Sequence, residues 1–322
     1  MVIVDLLCII VGLNIFAYFH HVRDFLNPPE VRPVVLYTPA PSVAPEISSE
    51  PVQTPEEIEP EQIPSRPVTA WGEKFAEHFT DGEIIETDNS YRSANISVTV
   101  TTVNENRQYY SIAEIYISDL KYLRTSLATR GYGSRDMVAL LAQKNNAVVA
   151  ISGDYYSARK EGIIVRNGVL YRDTRFEDVC VLLNDGRMLT LTPGELDLQQ
   201  LKEAAPWQVW SFGPKLLDNG AAITSFTSAV EKNNPRSAIG YVEPGHYFFV
   251  QVDGRGANGS RGMTLEELSL LFERLGCQSA YNLDGGQTAG IVWRGELISH
   301  PYGRSVSDII YITDSPDQEE AE

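Results

Sequence analysis

Proline divides this chain. Eleven of its 18 prolines fall between Pro28 and Pro67, interleaved with glutamate and small residues. Proline has no amide donor and a fixed φ, so such a run can neither pair within a sheet nor continue a helix. It also buries too little apolar surface to offset its ordering entropy. Residues 27–70 therefore read as an extended, semi-rigid linker. What folds is expected to lie between residues 71 and 313, enough sequence for one large core or two small ones.

Charge follows the same division. The formal net charge is -17, but residues 46–61 hold six glutamates and residues 314–322 hold five acids, neither with a base, which leaves residues 62–313 at -5. The excess belongs to the linker and to an acidic tail, 314–322, whose composition reads as disordered. A mildly acidic folded part has no electrostatic footprint for nucleic acid, so no nucleic-acid partner is expected. Of the three cysteines, Cys8, Cys180 and Cys277, none sits at a metal-binding spacing. Buried free thiols at Cys180 and Cys277 are the expectation, with a disulfide between them as the alternative outside the cytoplasm.

Val2 to Phe19 is apolar except for Asp5 and Asn14, close to the shortest span of a bilayer. No basic segment precedes it and no small-residue cleavage site follows. Residues 1–26 are thus expected to be an uncleaved, single-pass membrane anchor, with the rest of the chain outside the cytoplasm on a proline-rich stalk.

Within 71–313, short apolar runs at strand spacing predict strands over Ile96–Thr102, Tyr109–Ile117, Ala147–Ser152, Val179–Leu183, Met188–Thr192, Ala238–Val242, Tyr247–Val252, Ile291–Trp293 and Ser307–Ile312. Asn184-Asp185-Gly186-Arg187 is a hairpin signal. Two helices are expected, one over Arg135–Lys144 capped by Ser134, the other over Leu265–Leu275 and ended by Gly276. Many strands, few helices and no regular alternation of the two predict an α+β fold with a strand-rich mixed sheet.

Candidate chemistry gathers late in the chain. Asp253 ends the apolar run Tyr247–Val252 and precedes Gly254. Asp284 follows Ala280-Tyr-Asn-Leu and precedes Gly285 and Gly286. Acids at strand ends beside glycines suit a site where backbone amides approach a ligand, although an isolated Asp-Gly is also an ordinary turn. Asn282 and Asp284, two apart on an extended segment, point to one face. Thr264 and Glu267 form a capping box, a structural role compatible with a catalytic one if that helix start faces the site. Arg236 and Arg304 each precede a strand, and arginine suits phosphate through its fork of donors, though a lone arginine at a strand edge is usually solvated.

Gly153-Asp-Tyr-Tyr156, Ile163-Ile-Val-Arg-Asn-Gly-Val-Leu170, Phe212-Gly-Pro214, Asn234-Pro-Arg-Ser-Ala-Ile-Gly240, Asp253-Gly-Arg255, Gly262-Met-Thr-Leu-Glu-Glu-Leu268, Asn282-Leu-Asp-Gly-Gly286 and Arg304-Ser-Val-Ser307 occur in an order that resembles the phosphodiester glycosidase family. The resemblance covers roughly residues 145–312. It implies hydrolysis of a sugar-1-phosphodiester, and the expected location outside the cytoplasm makes a surface or extracellular glycan the expected substrate. In that reading Asp284, Glu267 and Asp253 are the catalytic acids, with Asp284 or Glu267 activating water or acting as nucleophile. Arg236 and Arg304 clamp the phosphate, and Asn282, Gly285, Gly286, Asp154, Thr264 and Ser307 complete the substrate site. Two departures from the family pattern, Ser152 and Gln287-Thr288, motivate an alternative, a non-catalytic binder of anionic glycan on the same fold. No cofactor is called for. Acids without a nearby histidine leave Ca²⁺ or Mg²⁺ as the metals such a site would accept.

Overall fold

The computed structural model describes residues 32–38 and 70–316. The anchor expected over 1–26 lies outside them, as do most of the linker and the end of the tail. Among the described residues no helix is long and apolar enough to cross a membrane.

Three sheets share one core. A seven-stranded sheet runs in the order 279–282, 236–243, 246–252, 108–117, 96–105, 90–92, 85–86. A six-stranded sheet runs 34–35, 169–174, 162–166, 208–210, 179–182, 188–191, and a five-stranded sheet 296–297, 291–293, 149–152, 308–312, 123–127. Each hydrogen-bonded pair in these sheets is antiparallel. The helices are α1 (Ala70–Lys74), α2 (Val138–Lys144), α3 (Leu198–Glu203) and α4 (Leu265–Arg274). The strand-rich α+β class expected from the sequence is present.

Strand alternation explains the layering. Successive side chains point to opposite faces. Val149 and Ile151, Ile310 and Ile312, Cys180 and Leu182, and Ile239 and Phe249 all enter the central core. Their neighbours face outward, where a helix covers each sheet. Ala150, Val292, Ile309 and Tyr311 meet α2 through Val138 and Leu141. Val179, Val181 and Val209 pack with Leu201 of α3. Ala238, Val250 and Ala280 pack with Leu265, Leu268 and Phe272 of α4. With both faces covered, these strands are continuous buried runs.

Two local expectations change. The helix expected from Arg135 begins at Val138, because Asp136 instead bridges to Val306 and Ser134 donates to the Gly131 carbonyl. Part of the stretch read as linker, residues 32–38, adds a two-residue strand to the six-stranded sheet. The hairpin at Asp185-Gly186, the α4 capping box and the free, buried Cys180 and Cys277 follow the sequence reading.

Candidate active site

The three sheets meet at the loops 153–159, 211–214, 283–290 and 298–307. The Asp284 amide donates to the Gly153 carbonyl at 2.9 Å, joining the seven-stranded and five-stranded sheets there. Gly153 has no room for a side chain, since a Cβ would lie 2.2 Å from the Asp308 carboxylate.

Beneath the site lies an ion cluster. Arg166, fully buried, donates to Asp308 at 2.6 Å and to Asp154 at 3.2 Å. Its remaining donors reach the Val165 and Val209 carbonyls. Asp154 also accepts the Ser211 amide at 2.7 Å, and Asp308 accepts the Asp154 amide at 2.7 Å. Burial pushes the Asp308 carboxyl up to about 6 against the pull of Arg166. These groups fix the 153–159 and 211–212 loops to one another. Asp154, expected to touch substrate, is occupied here. Among the described residues no three His, Cys, Asp or Glu side chains group to hold a metal ion. Arg166 occupies the place between the two converging carboxylates.

Above the cluster sits Asp284, 4% exposed, with its Oδ2 unpartnered among the described residues. Burial pushes its carboxyl up to about 7, with Thr288, Arg304 and Arg159 opposing the shift and Asp154 adding to it. Asn282 also keeps one unpartnered buried oxygen, Oδ1, while its amide donates to the Gly213 carbonyl at 2.8 Å. Two orphaned oxygens two residues apart are what an acceptor pair awaiting a ligand looks like, since buried polar groups are otherwise paired.

Arg304 and Arg159 both act on this acid, and each guanidinium lies against aromatic rings. Arg304 lies over the Tyr155 ring at 4.8 Å and makes no hydrogen bond among the described residues. Arg135 lies 5.7 Å from the same ring and donates to Ser157. Arg159 lies 5.0 Å from both Phe176 and Phe212, and its bonds to the Ser211 and Phe212 carbonyls are long, 3.5 and 3.3 Å. Stacked guanidinium groups with unspent donors suit a phosphate. Arg159 and Phe212 also line a cleft of about 390 Å³ whose far wall runs from Thr227 to Val230.

The other expected residues are engaged in contacts of their own. Arg236 is buried, and its guanidinium donates to the carbonyls of Met263, Val230 and Lys232 at 3.0, 2.6 and 2.6 Å. Burial pushes it down to about 10. Its Nε and Nη2 donors are thus engaged by the loop that walls the cleft, whereas the expectation was a clamp on phosphate. Glu267 completes the capping box with Thr264 and is held by both terminal nitrogens of Arg261. Burial raises its pKa, but Arg261 and the Thr264 amide outweigh it, so the net shift is downward. Such a paired, stabilised carboxylate is a poor base. Asp253, 0% exposed, accepts from Gln251, Asn258 and the His300 amide. It anchors the loop that carries Arg304. Ser307 bonds Ser157 at 2.7 Å and so positions the 154–159 loop. Gly285 and Gly254 pack against Pro235, and Gly262 against Asn234, so backbone packing requires these glycines.

The departures also find places. Ser152 is fully buried, donating to the Thr288 carbonyl and accepting from Gly290. Gln287 is exposed, and Thr288 sets its hydroxyl close to Asp284. Arg135, Tyr155, Arg159 and Phe176 escaped the sequence reading as individual site residues. Only Tyr155 lay within a quoted segment, and loop arginines carry no periodic signal.

A model of the family described as phosphodiester glycosidase matches residues 145–313, just over half of the chain. The chain belongs to the phosphodiester glycosidase family. An uncharacterized SPbeta prophage-derived protein of Bacillus subtilis (strain 168), YomE, is 29% identical over 180 residues, which are 53% of this chain and 28% of that protein. The chain thus spans less than a third of that relative. Among solved structures, the catalytic domain of zebrafish N-acetylglucosamine-1-phosphodiester alpha-N-acetylglucosaminidase, auto-inhibited by its pro-peptide, aligns with a TM-score of 0.54 at 20% identity, covering 68% of this chain and 83% of that one. A hypothetical protein from Synechocystis aligns at a TM-score of 0.48 and 16% identity over 68% of this chain and 62% of that one. At 20% identity the likeness to the zebrafish catalytic domain shows the fold alone.

Proposed function

We propose that this protein hydrolyses a sugar-1-phosphodiester, with Asp284 as the base that activates water and Arg304 and Arg159 as the clamp on the phosphate. One observation carries the reading: a buried carboxylate with an unpartnered oxygen, raised toward neutrality, lies within the field of two stacked guanidinium groups. A phosphomonoester is already a good leaving group, so stabilising its charge matters more than protonating it. Water adds to the anomeric carbon as its proton passes to Asp284. The bond from that carbon to the phosphate oxygen breaks, and the phosphomonoester departs on the arginines. A carboxyl group poised near 7 is a stronger base than an ordinary aspartate and is still ionised at neutral pH in about half the molecules.

The test is release of free sugar from α-1-phosphodiesters of N-acetylglucosamine, glucose and mannose. Asp284→Asn is expected to lower turnover by about 10²- to 10⁴-fold. Folded wild-type protein that releases sugar from none of the panel would sink the reading. For location, we propose that residues 1–26 anchor the chain in the cell membrane and that the proline-rich stretch holds the domain outside the cytoplasm, facing cell-wall or exopolysaccharide polymers. Protease treatment of intact cells checks it: the domain is expected to be shed, and a domain protected until lysis would refute the placement.

A further inference from the structure

Arg135 lies ahead of the family-matched residues, on the loop 128–136, yet its guanidinium reaches the Tyr155 ring at 5.7 Å. Its Nε donates to the Ser157 hydroxyl at 2.7 Å, and its two terminal nitrogens make no hydrogen bond or ion pair among the described residues. Other half-buried arginines are spent: Arg172 on the carbonyls of Gly162, Tyr156 and Arg159, Arg261 on Glu267. The loop holds Arg135 in place. The Asp136 and Val306 amides donate to each other's carbonyls at 3.1 and 2.8 Å, and the Ser134 hydroxyl donates to the Gly131 carbonyl at 2.5 Å. Tyr132 stacks on Tyr156 at 4.8 Å and on Tyr171 at 5.2 Å. The Asp136 carboxylate turns to the Thr129 amide at 2.6 Å and forms no ion pair with the guanidinium beside it in sequence.

We propose that Arg135 is a second anion site, so that the preferred substrate carries a carboxylate or phosphate besides the scissile diester. The place of the scissile phosphate, at Arg304 and Arg159, rests on the proposed hydrolysis. A phosphodiester carries a single negative charge. Arg304 and Arg159, the arginines that bear on Asp284, already offset it. Arg135 is then a cation without a counter-charge, set against the same ring as Arg304. With Nε engaged, its two free terminal nitrogens fit two oxygens of one carboxylate or phosphate. The fork is ordered before a ligand arrives, so binding does not bear the cost of ordering it. A neutral substrate would cover this charge without pairing it, which is costly, so selection works by penalty as well as by attraction. Two sources share the chemistry: an acid on the released sugar, or a phosphate on the group that departs.

The experiment uses two matched pairs of diesters. In the first, methyl phosphate is carried by the anomeric carbon of glucuronic acid or of glucose. In the second, glucose 1-phosphate is esterified to glycerol 3-phosphate or to glycerol. Affinities are measured by calorimetry on the Asp284→Asn protein, and turnover on the wild type. In at least one pair the charged member is expected to bind more tightly by about 10- to 100-fold. A preference for the glucuronic acid diester places the anion on the released sugar, and a preference for the glycerol phosphate diester places it on the departing group. Adding Arg135→Gln should bring the ratio close to one. Arg135→Lys keeps the charge without the fork and should hold an intermediate ratio, so the test does not hang on one variant. Arg135 makes one side-chain hydrogen bond, so both variants are expected to melt near their parent. Ratios near one in both pairs, a ratio that survives Arg135→Gln, or no binding of any diester would overturn the proposal. An Arg135-dependent ratio without wild-type turnover would sink the hydrolytic reading and leave the anion site standing. Turnover with ratios near one would do the reverse.

Discussion

Asp284 is held where a carboxylate is least comfortable, and that has a measurable consequence. Its folded-state pKa, raised to about 7, lies above the unfolded value of about 4. The folded state therefore holds the proton more tightly. Ionisation costs stability progressively from about pH 4 upward and fully above about 7, by at most about 4 kcal/mol. Asp284→Asn keeps the shape and removes the ionisation. It should melt higher than wild type at pH 8 and near wild type at pH 4, while its turnover is expected to be lower. Equal melting shifts at both pH values would refute the raised pKa. Acting as a base, Asp284 also predicts a kcat/KM that rises with pH to a plateau above about 7; a profile falling through that point would recast it as an acid. The two arginines separate in the same way. Arg304→Gln should leave stability within about 0.5 kcal/mol and lower kcat by about 10²- to 10³-fold. Arg236→Gln should cost about 3 kcal/mol by leaving buried carbonyls unpaired. Two-residue spacing on an extended segment is what marked Asn282 and Asp284 as a pair in the sequence, and each keeps an unpartnered buried oxygen. The sequence could not separate Arg236 from Arg304, since a guanidinium spent on carbonyls and one open to a ligand read alike until their neighbours are known.

Loops carry the site, and each is tied to an element behind it. The 298–307 loop is pinned where the Tyr302 hydroxyl accepts the Gly254 amide at 2.8 Å and donates to its carbonyl at 3.1 Å. Asp253 holds the His300 amide alongside. Arg304 follows two residues after Tyr302, so the tie sets where the guanidinium stands. Tyr302→Phe should release it and lower kcat by about 10- to 100-fold, with substrate analogues that lack the phosphate unaffected in binding. Unchanged kcat would show that the loop is held elsewhere. At this scale the sequence was informative wherever a strand is buried on both faces, because such runs are long and apolar. It missed strands 162–166 and 169–174, whose Arg166, Arg172 and Asp173 break the pattern. Arg166 is the reason: its charge is neutralised inside the fold by Asp154 and Asp308, which lie 12 and 142 residues away along the chain. The turn between those strands, Asn167-Gly168, has positive φ at both residues, the form a tight hairpin favours.

At the scale of the molecule, three sheets close on one core and each takes a helix on its outer face, leaving the six-stranded sheet with an edge at 169–174. Residues 32–38 cover that edge. Val34 and Val35 pair with Leu170 and Val169, and the amides of Leu36 and Tyr37 both donate to the Gly168 carbonyl at 2.6 and 3.1 Å. Leu36 packs on the α3 core, and Tyr37 meets Trp207 edge-on at 6.0 Å. Approach this close depends on Gly168, where a Cβ would fall 1.9 Å from the Tyr37 carbonyl oxygen. A segment that proline composition marks as linker is thus drawn onto the domain by two apolar side chains and a glycine in another strand's turn, a long-range partnership that local composition does not record. The contact predicts that a chain beginning at residue 70 is less stable than one beginning at residue 32 by about 1–3 kcal/mol, from lost apolar burial and an exposed carbonyl. Urea midpoints measure this, and acrylamide quenching should show Trp207, 1% exposed with the segment in place, becoming accessible. Gly168→Ala in the longer chain should reproduce much of both effects. Identical midpoints for the two lengths would mean that the segment rests on the domain without stabilising it.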